Sequence, residues 1–286
     1  MNEHYLREDL ATRTQPDDLF RWASELAAQA QQENVYRNKE GRKTLRFESG
    51  GKSYFLKLHT GIGWAEIFKN LLQLRLPILG ARNEYEAVEK LRELGVDTMS
   101  VAAYASEGHN PAAIHSLIVT DDLVGTISLE DYCAQWATLP PALSTRLGLI
   151  KKLADSARRM HGAGINHRDF YICHFHLDPE SLNSRTARPA DIRCCLIDLH
   201  RAQMRKKVPR RWRVKDLAGL YFSAMDIGLT RRDLLRFMHH YCEGGLREAL
   251  DPQAEVWKDV SQRAVKLYRK DHGTEPPPLL REAGPE

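Results

Sequence analysis

The stretch Ile165-Asn166-His167-Arg168-Asp169 decides how this sequence is interpreted. It comes directly after a long predicted helix, residues 143–162, which glycines at 162 and 164 bring to an end. Twenty-nine residues after Asp169, the short apolar run Leu196-Ile197-Asp198-Leu199 carries a second carboxylate. Two aspartates at such loop positions suit phosphoryl transfer. One can accept the proton of an attacking hydroxyl, and the other can hold Mg²⁺ on nucleotide phosphates.

The composition is that of an ordinary globular protein. Of its 286 residues, 42% are hydrophobic and 28% are charged, with a formal net charge of +4, which excludes wholesale disorder. The five cysteines include no Cys-x-x-Cys pair, so we expect a reduced, cytoplasmic protein rather than a disulfide framework. The first ten residues lack the apolar stretch of a signal peptide. No run reaches the ~18 apolar residues of a spanning helix, so membrane contact is expected to be peripheral.

Hydrophobic periodicity predicts a β-rich part followed by a helical part. An amphipathic helix is predicted over residues 16–32, and strands over 44–47 and 54–58 in a small antiparallel sheet. A helix over 82–94 and a strand over 116–120 follow. Helical patterns then dominate, at residues 128–137, 143–162, 214–227, 230–242 and 254–270.

The sequence therefore predicts an α+β fold made of four segments. The first two are a helical extension, residues 1–34, and a small β-rich lobe, residues 35–121. A larger helical lobe covers residues 122–270, and the Pro- and Gly-rich tail, residues 271–286, is predicted to be disordered.

A lysine in the predicted sheet has a candidate partner on the next helix. Strand alternation puts Phe55 and Lys57 on one face, so the ammonium group lies over a partly apolar surface and needs an anionic partner. Glu84 shares a helix face with Val88 and Leu91, the face expected to pack inward. We therefore predict an ion pair between Lys57 and Glu84.

These residues, in this order, resemble the signature of protein-kinase-like enzymes, in which a strand lysine, a helix glutamate, His-Arg-Asp and a later aspartate recur. The surrounding stretches are closer still to the lipopolysaccharide core heptose kinases. They are Asn166-His167-Arg168-Asp169 through Tyr171-Ile172-Cys173-His174-Phe175, Ile197-Asp198-Leu199-His200-Arg201-Ala202-Gln203, and Lys215-Asp216-Leu217-Ala218 through Tyr221-Phe222-Ser223. The resemblance covers roughly residues 35–270.

This resemblance implies a two-lobed protein-kinase-like fold and a definite reaction. ATP, with Mg²⁺, would phosphorylate a hydroxyl, expected to be O4, of the first heptose of the lipopolysaccharide inner core. Asp169 would be the catalytic base, with His167 and Arg168 beside it, and Asp198 would hold Mg²⁺. Further implied roles are phosphate binding by Lys57, support of Lys57 by Glu84, adenine contacts from Asp121 to Leu123, and support of the catalytic loop by Asp216.

Two departures from the kinase pattern affect these assignments. His174 stands where such kinases carry a metal-binding asparagine, so it is a candidate for the second Mg²⁺ ligand or for a phosphate contact. No Gly-rich loop precedes Lys57. The best candidate for a segment over the phosphates is Gly41-Arg42-Lys43-Thr44, which makes Lys43 a predicted ATP-binding residue.

A basic run follows the second aspartate, where kinases place the segment that meets the acceptor. It contains the predicted acceptor-binding residues Arg201, Arg205, Arg210 and Arg211. Arginine binds phosphates and carboxylates through bidentate hydrogen bonds, and the lipopolysaccharide core and lipid A carry both groups. A solvated loop is the alternative interpretation, and nucleic acid is not the predicted partner.

The apolar stretch from Trp64 to Leu79 exceeds what core packing alone requires. It predicts contact with the inner-membrane surface or with an acidic carrier protein similar to acyl carrier protein. Two other functions remain open from sequence: a protein kinase acting on Tyr or Ser/Thr, and a pseudokinase-like scaffold that binds nucleotide or lipid. A zinc site at Cys173, His174 and His176 is disfavoured because the spacing fits no standard template.

Overall fold

The computed structural model describes residues 3–39, 41–72, 79–182 and 191–280, arranged in two compact units. The first unit comprises Met1–Lys90, Met99–Val124 and Leu199–Arg201. The second comprises Leu91–Thr98, Gly125–Asp198 and Ala202–Glu286. No helix in the described part of the chain combines the length and the apolar character needed to cross a bilayer.

A six-stranded antiparallel sheet forms the first unit, in the order β1-β5-β6-β4-β3-β2. Its strands are β1 (Glu3–Leu6), β2 (Val35–Lys39), β3 (Arg42–Ser49), β4 (Lys52–Thr60), β5 (Val101–Glu107) and β6 (His115–Asp121). The helices are α1 (Glu8–Ala11), α2 (Leu19–Gln29), α3 (Gly63–Leu72) and α4 (Arg82–Glu93), whose last residues belong to the second unit.

The two faces of β4 differ in character because of strand alternation. Tyr54, Leu56 and Leu58 are buried in a core that they share with α2. Phe55 and Lys57 point to the opposite face, as predicted. Gly50 and Gly51 lie between β3 and β4 with φ values of 59° and 75°, so they make the tight turn that the hairpin needs.

The N-terminal segment is more than the predicted helix. Pro16 opens a 3₁₀ turn, Pro16–Asp18, and the α-helix begins only at Leu19. Residues 3–6 form β1, which pairs with β5 at the edge of the sheet. The sequence did not reveal this strand because four residues, two of them charged or ionisable, are too few for alternation to be seen.

The second unit is mainly helical, as predicted. Its helices are α5 (Leu129–Cys133), α6 (Leu143–Gly162), α7 (Arg210–Ser223), α8 (Arg231–Tyr241), α9 (Gly245–Leu250) and α10 (Ala254–His272). Short antiparallel pairs join β9 (Phe175–Leu177) to β10 (Cys194–Leu196) and β7 (Ile127–Ser128), and β11 (Gln203–Met204) to β8 (Ile165–Asn166). Helix α7 begins four residues earlier than predicted, directly after Pro209, so part of the basic run is helical.

The C-terminal segment differs from the predicted disordered tail. Helix α10 continues to His272 and ends at Gly273, whose φ is 70°. Further along, the backbone N–H of Leu280 donates to the carbonyl oxygen of Leu229 at 2.9 Å. This hydrogen bond attaches residues that composition alone assigned to a tail, whereas residues 281–286 lie outside the described part of the chain.

Candidate active site

Lys57 and Glu84 form the predicted ion pair within the first unit. Nζ of Lys57 lies 2.5 Å from Oε1 of Glu84. Helix α4 buries Val88 and Leu91 on its inner face, and Glu84, one helical turn before Val88, is fully buried beside them. A carboxylate in such a place is stable only with a cation beside it. The pair therefore holds the ammonium group of Lys57 on one face of the sheet.

The loop that carries Asp169 is held by the buried side chain of Asp216. Its two carboxylate oxygens accept the backbone N–H groups of His167 at 2.6 Å and of Arg168 at 2.8 Å. Nε2 of His161 lies 3.4 Å from the same carboxylate. Asp216 is 1% exposed, so these groups take the place of water around its charge. The conformation of the loop is thereby fixed through its backbone.

Two left-handed residues flank the candidate chemistry. Arg168 has a φ of 78° and Asp198 a φ of 61°, and they are the non-glycine residues with positive φ in the described ranges. Each such residue costs roughly 1–3 kcal/mol and persists only where surrounding contacts impose it. For Arg168 the imposing contact is the hydrogen bond to Asp216.

The ring of His167 links this loop to the segment before Asp198. Nε2–H donates to the carbonyl oxygen of Ile197 at 2.9 Å, and Nδ1 accepts from the backbone N–H of Asp169 at 3.3 Å. Burial lowers the pKa of His167, in keeping with the neutral tautomer that these two bonds require. The loop of Asp169 and the turn of Asp198 are therefore held together.

His174 lies between the backbone of Asp169 and the carboxylate of Asp198. Its Nδ1–H donates to the backbone carbonyl of Asp169 at 2.7 Å, and its Nε2 lies 3.7 Å from a carboxylate oxygen of Asp198. Burial disfavours the charged ring, but hydrogen bonds with Cys173 and Asp169 and the charge of Asp198 prevail and raise the pKa of His174 to about 9. The role of His174 as a second Mg²⁺ ligand or as a phosphate contact stays a prediction. Asp198 retains the hard oxygen donors that Mg²⁺ prefers.

The register of the sheet corrects the prediction that Lys43 binds ATP. Residues paired directly across antiparallel strands share a face, and Lys43 pairs with Leu58, which belongs to the core shared with α2. Nζ of Lys43 donates to the carbonyl oxygen of Ala27 in α2. Thr44, one residue along, pairs with Lys57. The predicted ATP-binding lysine therefore lies on the face opposite Lys57.

The predicted adenine-contacting segment is anchored within the first unit. Arg7 donates to both carboxylate oxygens of Asp121, at 2.9 and 2.5 Å. The backbone N–H of Asp121 donates to the carbonyl oxygen of Ser100 at 2.9 Å. Leu123 is partly exposed two residues beyond the end of β6. The side chain of Asp121 thus serves the fold, and the backbone from Asp121 to Leu123 stays the predicted adenine contact.

Trp212, which sequence analysis did not single out, organises much of the basic run. Four cationic groups lie within 6 Å of its ring centroid. They are those of Arg168 at 5.3 Å, Arg205 at 5.9 Å, Arg211 at 5.3 Å and Lys215 at 5.6 Å. Arg205 also donates to Oδ1 of Asn166 at 2.6 Å, next to the catalytic loop. The sequence signal for this residue was a single tryptophan among eight cationic residues at positions 201–215.

The other predicted acceptor-binding arginines have different surroundings. Arg210 lies 2.7 Å from Asp259 and donates to the carbonyl oxygen of Glu255, so it attaches α7 to α10. This makes Arg210 a structural residue rather than part of the cationic group around Trp212. Arg201 ends the short 3₁₀ turn Leu199–Arg201, which belongs to the first unit.

Comparison with known proteins identifies the family of this chain. Residues 27–241 match the lipopolysaccharide kinase (Kdo/WaaP) family. The chain is 49% identical over 266 residues to the lipopolysaccharide core heptose(I) kinase WaaP of Escherichia coli. The aligned region covers 93% of this chain and 97% of the relative. It is also 49% identical over 244 residues to the WaaP of Pseudomonas aeruginosa, covering 85% of this chain and 90% of the relative.

A solved structure extends the similarity to three dimensions. It is described as WaaP in complex with acyl carrier protein, and it superposes with a TM-score of 0.77 at 41% identity over 93% of this chain and 99% of that one. The predicted α+β, protein-kinase-like fold and the predicted kinase activity are thereby confirmed. The chain belongs to the lipopolysaccharide kinase (Kdo/WaaP) family.

Proposed function

We propose that this protein transfers the γ-phosphoryl group of ATP to a hydroxyl, O4, of the first heptose of the lipopolysaccharide inner core. The observation that carries the proposal is the pair of carboxylates, Asp169 and Asp198, on segments joined by the His167 ring. The acceptor in this proposal, heptose(I), is the sugar in the names of the E. coli and P. aeruginosa relatives. Each residue role below is part of the proposal.

The reaction assigns one task to each group. The heptose hydroxyl oxygen attacks the γ-phosphorus as its proton passes to the carboxylate of Asp169, and the bond from that phosphorus to the leaving ADP oxygen breaks. Asp198 would hold Mg²⁺, which supplies positive charge at the phosphate oxygens. Lys57, positioned by Glu84, would hold the α- and β-phosphates. His174, beside the carboxylate of Asp198, would hold a second Mg²⁺ or contact a phosphate.

The cations around Trp212 support an anionic acceptor. Arg205, Arg211 and Lys215 are placed together on one aromatic ring, and Arg205 also contacts Asn166, three residues before Asp169. Phosphate and carboxylate groups of the inner core and lipid A are suitable partners for such a group.

Helix α3 supports peripheral contact with the cytoplasmic face of the inner membrane. Trp64, Phe68, Leu71 and Leu72 lie at spacings of four, seven and eight residues from the first, and their exposed fractions range from 47 to 86%. Such an exposed apolar stripe is typical of helices that lie in a membrane interface. Leu74, Leu76 and Ile78, which also belong to the predicted apolar stretch, lie outside the described residues.

An acyl carrier protein is the second proposed partner. The solved relative forms a complex with such a protein. In this chain, α5, α6, α7, α8 and α10 surround a cavity of ≈220 Å³, lined almost entirely by apolar side chains that include Leu149, Ile150, Leu153, Leu217, Phe237 and Trp257. An apolar cavity of this kind favours an acyl chain over a polar ligand. We therefore propose that it receives the chain of an acylated carrier.

Transfer of label from ATP tests the proposed reaction. Lipopolysaccharide core lacking its phosphates and a generic protein substrate are offered in parallel with Mg²⁺. Label should appear on the sugar core and be lost with Asp169→Ala. Label on protein alone would instead favour a protein kinase, and ATP binding without any transfer would favour a non-catalytic scaffold.

Thermal unfolding tests the carrier proposal. Acylated carrier protein should raise the Tm more than the same carrier without its acyl chain, because only the former fills the cavity. Leu153→Trp should remove that difference, whereas the control Leu139→Trp, at a position 69% exposed, should keep it. Equal stabilisation by both forms of the carrier would contradict an acyl-binding role.

Flotation with vesicles tests the membrane contact. Phe68→Ser combined with Leu72→Ser should reduce association with anionic vesicles, whereas Leu139→Ser should not. Wild-type protein that stays unbound with or without anionic lipid would exclude this role for α3.

A further inference from the structure

A group of basic side chains shares one face of the sheet with Lys57. Arg42 pairs with His59, and Thr44 pairs with Lys57, across β3 and β4. Arg37 pairs with Thr44 across β2 and β3. Because residues paired across antiparallel strands point to the same side, Arg37, Arg42, Lys57 and His59 lie on one face. The proposed function uses Lys57 alone among them.

His59 is the unusual member of this group. Its side chain is 2% exposed, and among the described residues neither Nδ1 nor Nε2 has a hydrogen-bond partner. A buried imidazole without partners costs free energy that a hydrocarbon of similar size would not. Arg42, directly opposite, is also buried, at 8% exposure. The ring of His59 is therefore held next to a buried cation in a place where the hydrogen bonds of the described residues give no reason for it.

The electrostatic surroundings of His59 favour an anion. The positive charges that face the ring are those of Arg42 on β3, Lys57 on its own strand, Arg37 on β2 and His200 of the turn Leu199–Arg201. Burial and these charges lower the pKa of His59 to about 3, so the ring is neutral near pH 7. Glu84, the carboxylate in contact with Lys57, is on α4. A bound anion would give His59 a hydrogen-bond partner and would be attracted by the surrounding cations.

Gly41 fixes the position of this group. It has a φ of 68°, and its carbonyl oxygen accepts the backbone N–H of Thr60 at 2.8 Å. A Cβ at position 41 would meet the backbone of Gly61, so glycine is required for this close approach. The start of β3, and with it Arg42, is thereby held against the end of β4.

We propose that Arg42 and His59, together with Lys57, bind the terminal phosphates of ATP in place of the missing Gly-rich loop. Guanidinium and imidazole N–H groups are strong donors to phosphate oxygens. His59 lies about 7 Å along the strand from Lys57, so a polyphosphate held by Lys57 can continue to it. The inference rests on the proposed function, since it extends the same nucleotide site. A phosphate group of the acceptor is the other source of such an anion.

Equilibrium binding of Mg·ATP, ADP and adenosine to the full chain tests this site. Arg42→Met and His59→Leu should each weaken ATP binding about tenfold to a hundredfold and leave adenosine binding within about twofold. Lys52→Met is the matched control, because it removes an exposed cation from the same strand. Among the described residues, that cation contacts Asp9 and not the group around Lys57. The His59 ring resonances should shift on addition of ATP and not of adenosine.

Thermal unfolding without ligand separates binding from folding. His59→Leu should unfold at the same temperature as wild type or higher, because it removes a buried polar ring without partners. A lower Tm with unchanged ATP affinity would overturn the proposal in favour of a structural role. Unchanged ATP affinity with a raised KM for phosphorylated acceptor would assign the anion to the acceptor. Failure of the proposed function is distinct: wild type would then bind ATP but transfer nothing to heptose.

Discussion

The imidazole of His167 donates to the carbonyl oxygen of Ile197 across 2.9 Å, and this hydrogen bond helps to join the two segments that bear the candidate carboxylates. The same ring accepts from the backbone N–H of Asp169. His167 thus helps to fix the relative positions of the proposed proton acceptor, Asp169, and the proposed metal ligand, Asp198, and it does not contact substrate in the proposed mechanism. Its contribution should therefore appear in the rate of the chemical step rather than in nucleotide affinity.

His167→Phe should lower kcat roughly tenfold to a hundredfold, since small displacements of reacting groups have effects of this size. ATP affinity should stay within about twofold of wild type, because Lys57 and Glu84 are untouched. Steady-state kinetics with varied ATP measures both quantities. His109→Phe, at an exposed position, is the control, and loss of ATP affinity without loss of kcat would contradict this role.

Asp198→Asn should raise the Mg²⁺ concentration needed for half-maximal activity by about tenfold or more, because an amide lacks the charge of a carboxylate. Excess Mg²⁺ should restore part of the rate. Asp169→Asn should instead lower kcat about 10²–10⁴-fold at every Mg²⁺ concentration. Titration of Mg²⁺ distinguishes the two roles, with Asp178→Asn, a half-buried loop aspartate, as control. Equal Mg²⁺ dependence in all variants would remove Asp198 from the metal site.

Lys57→Met should destabilise the protein by about 3–5 kcal/mol, because it leaves the fully buried Glu84 without the cation it contacts. Combining it with Glu84→Leu should recover much of that loss, yet ATP binding should stay impaired. Urea unfolding and nucleotide binding measure the two effects. Recovery of ATP binding in the double variant would show that Lys57 acts only through the fold.

Asp216→Ala should lower the free energy of unfolding by about 3 kcal/mol or more, because it leaves the buried N–H groups of His167 and Arg168 without their acceptor. Activity should fall with it. The control Asp226→Ala removes an exposed aspartate that contacts Tyr268 and should cost about 1 kcal/mol or less. Wild-type stability in Asp216→Ala would mean that other contacts hold the loop.

The stability of the protein should fall in acid partly through His59. Its pKa is about 3 when folded, because of burial and the charges of Arg42, Lys57, His200 and Arg37, and ~6.5 when unfolded. The unfolded chain therefore binds the proton first as the pH decreases. Between about pH 6.5 and 3 this group lowers the free energy of unfolding by up to about 1.4 kcal/mol per pH unit. His59→Leu should reduce that slope, and His109→Leu, at an exposed position, should not.

Much of the site was predictable because it depends on local order along the chain. Lys57, Glu84, Asp169 and Asp198 were selected as candidates from their order and from the elements that carry them, and the structure contains the predicted Lys57–Glu84 pair. A strand face and a helix face are each encoded within a few residues. Such features need no knowledge of tertiary contacts.

The errors have a different physical origin. Lys43 was assigned to the nucleotide, but a shift of one position along a strand reverses the face, and only the pairing with Leu58 shows it. His59 obeys the same alternation as Lys57 and could have been noted from sequence. The surroundings of the predicted acceptor-binding arginines depend on tertiary contacts. Trp212 packs against Arg205 and Arg211, and Asp259 pairs with Arg210. No pattern along the chain encodes those contacts.

The left-handed backbone at Arg168 and Asp198 has an evolutionary consequence. Glycine would adopt φ values of 78° and 61° without strain, so relief of backbone strain favours glycine at both positions. The contact of the Arg168 side chain with Trp212 opposes that change at position 168. A descendant that gave up catalysis should therefore gain glycine first at position 198. Glycine at position 198 in a homologous sequence would then indicate that the homologue has lost catalytic activity.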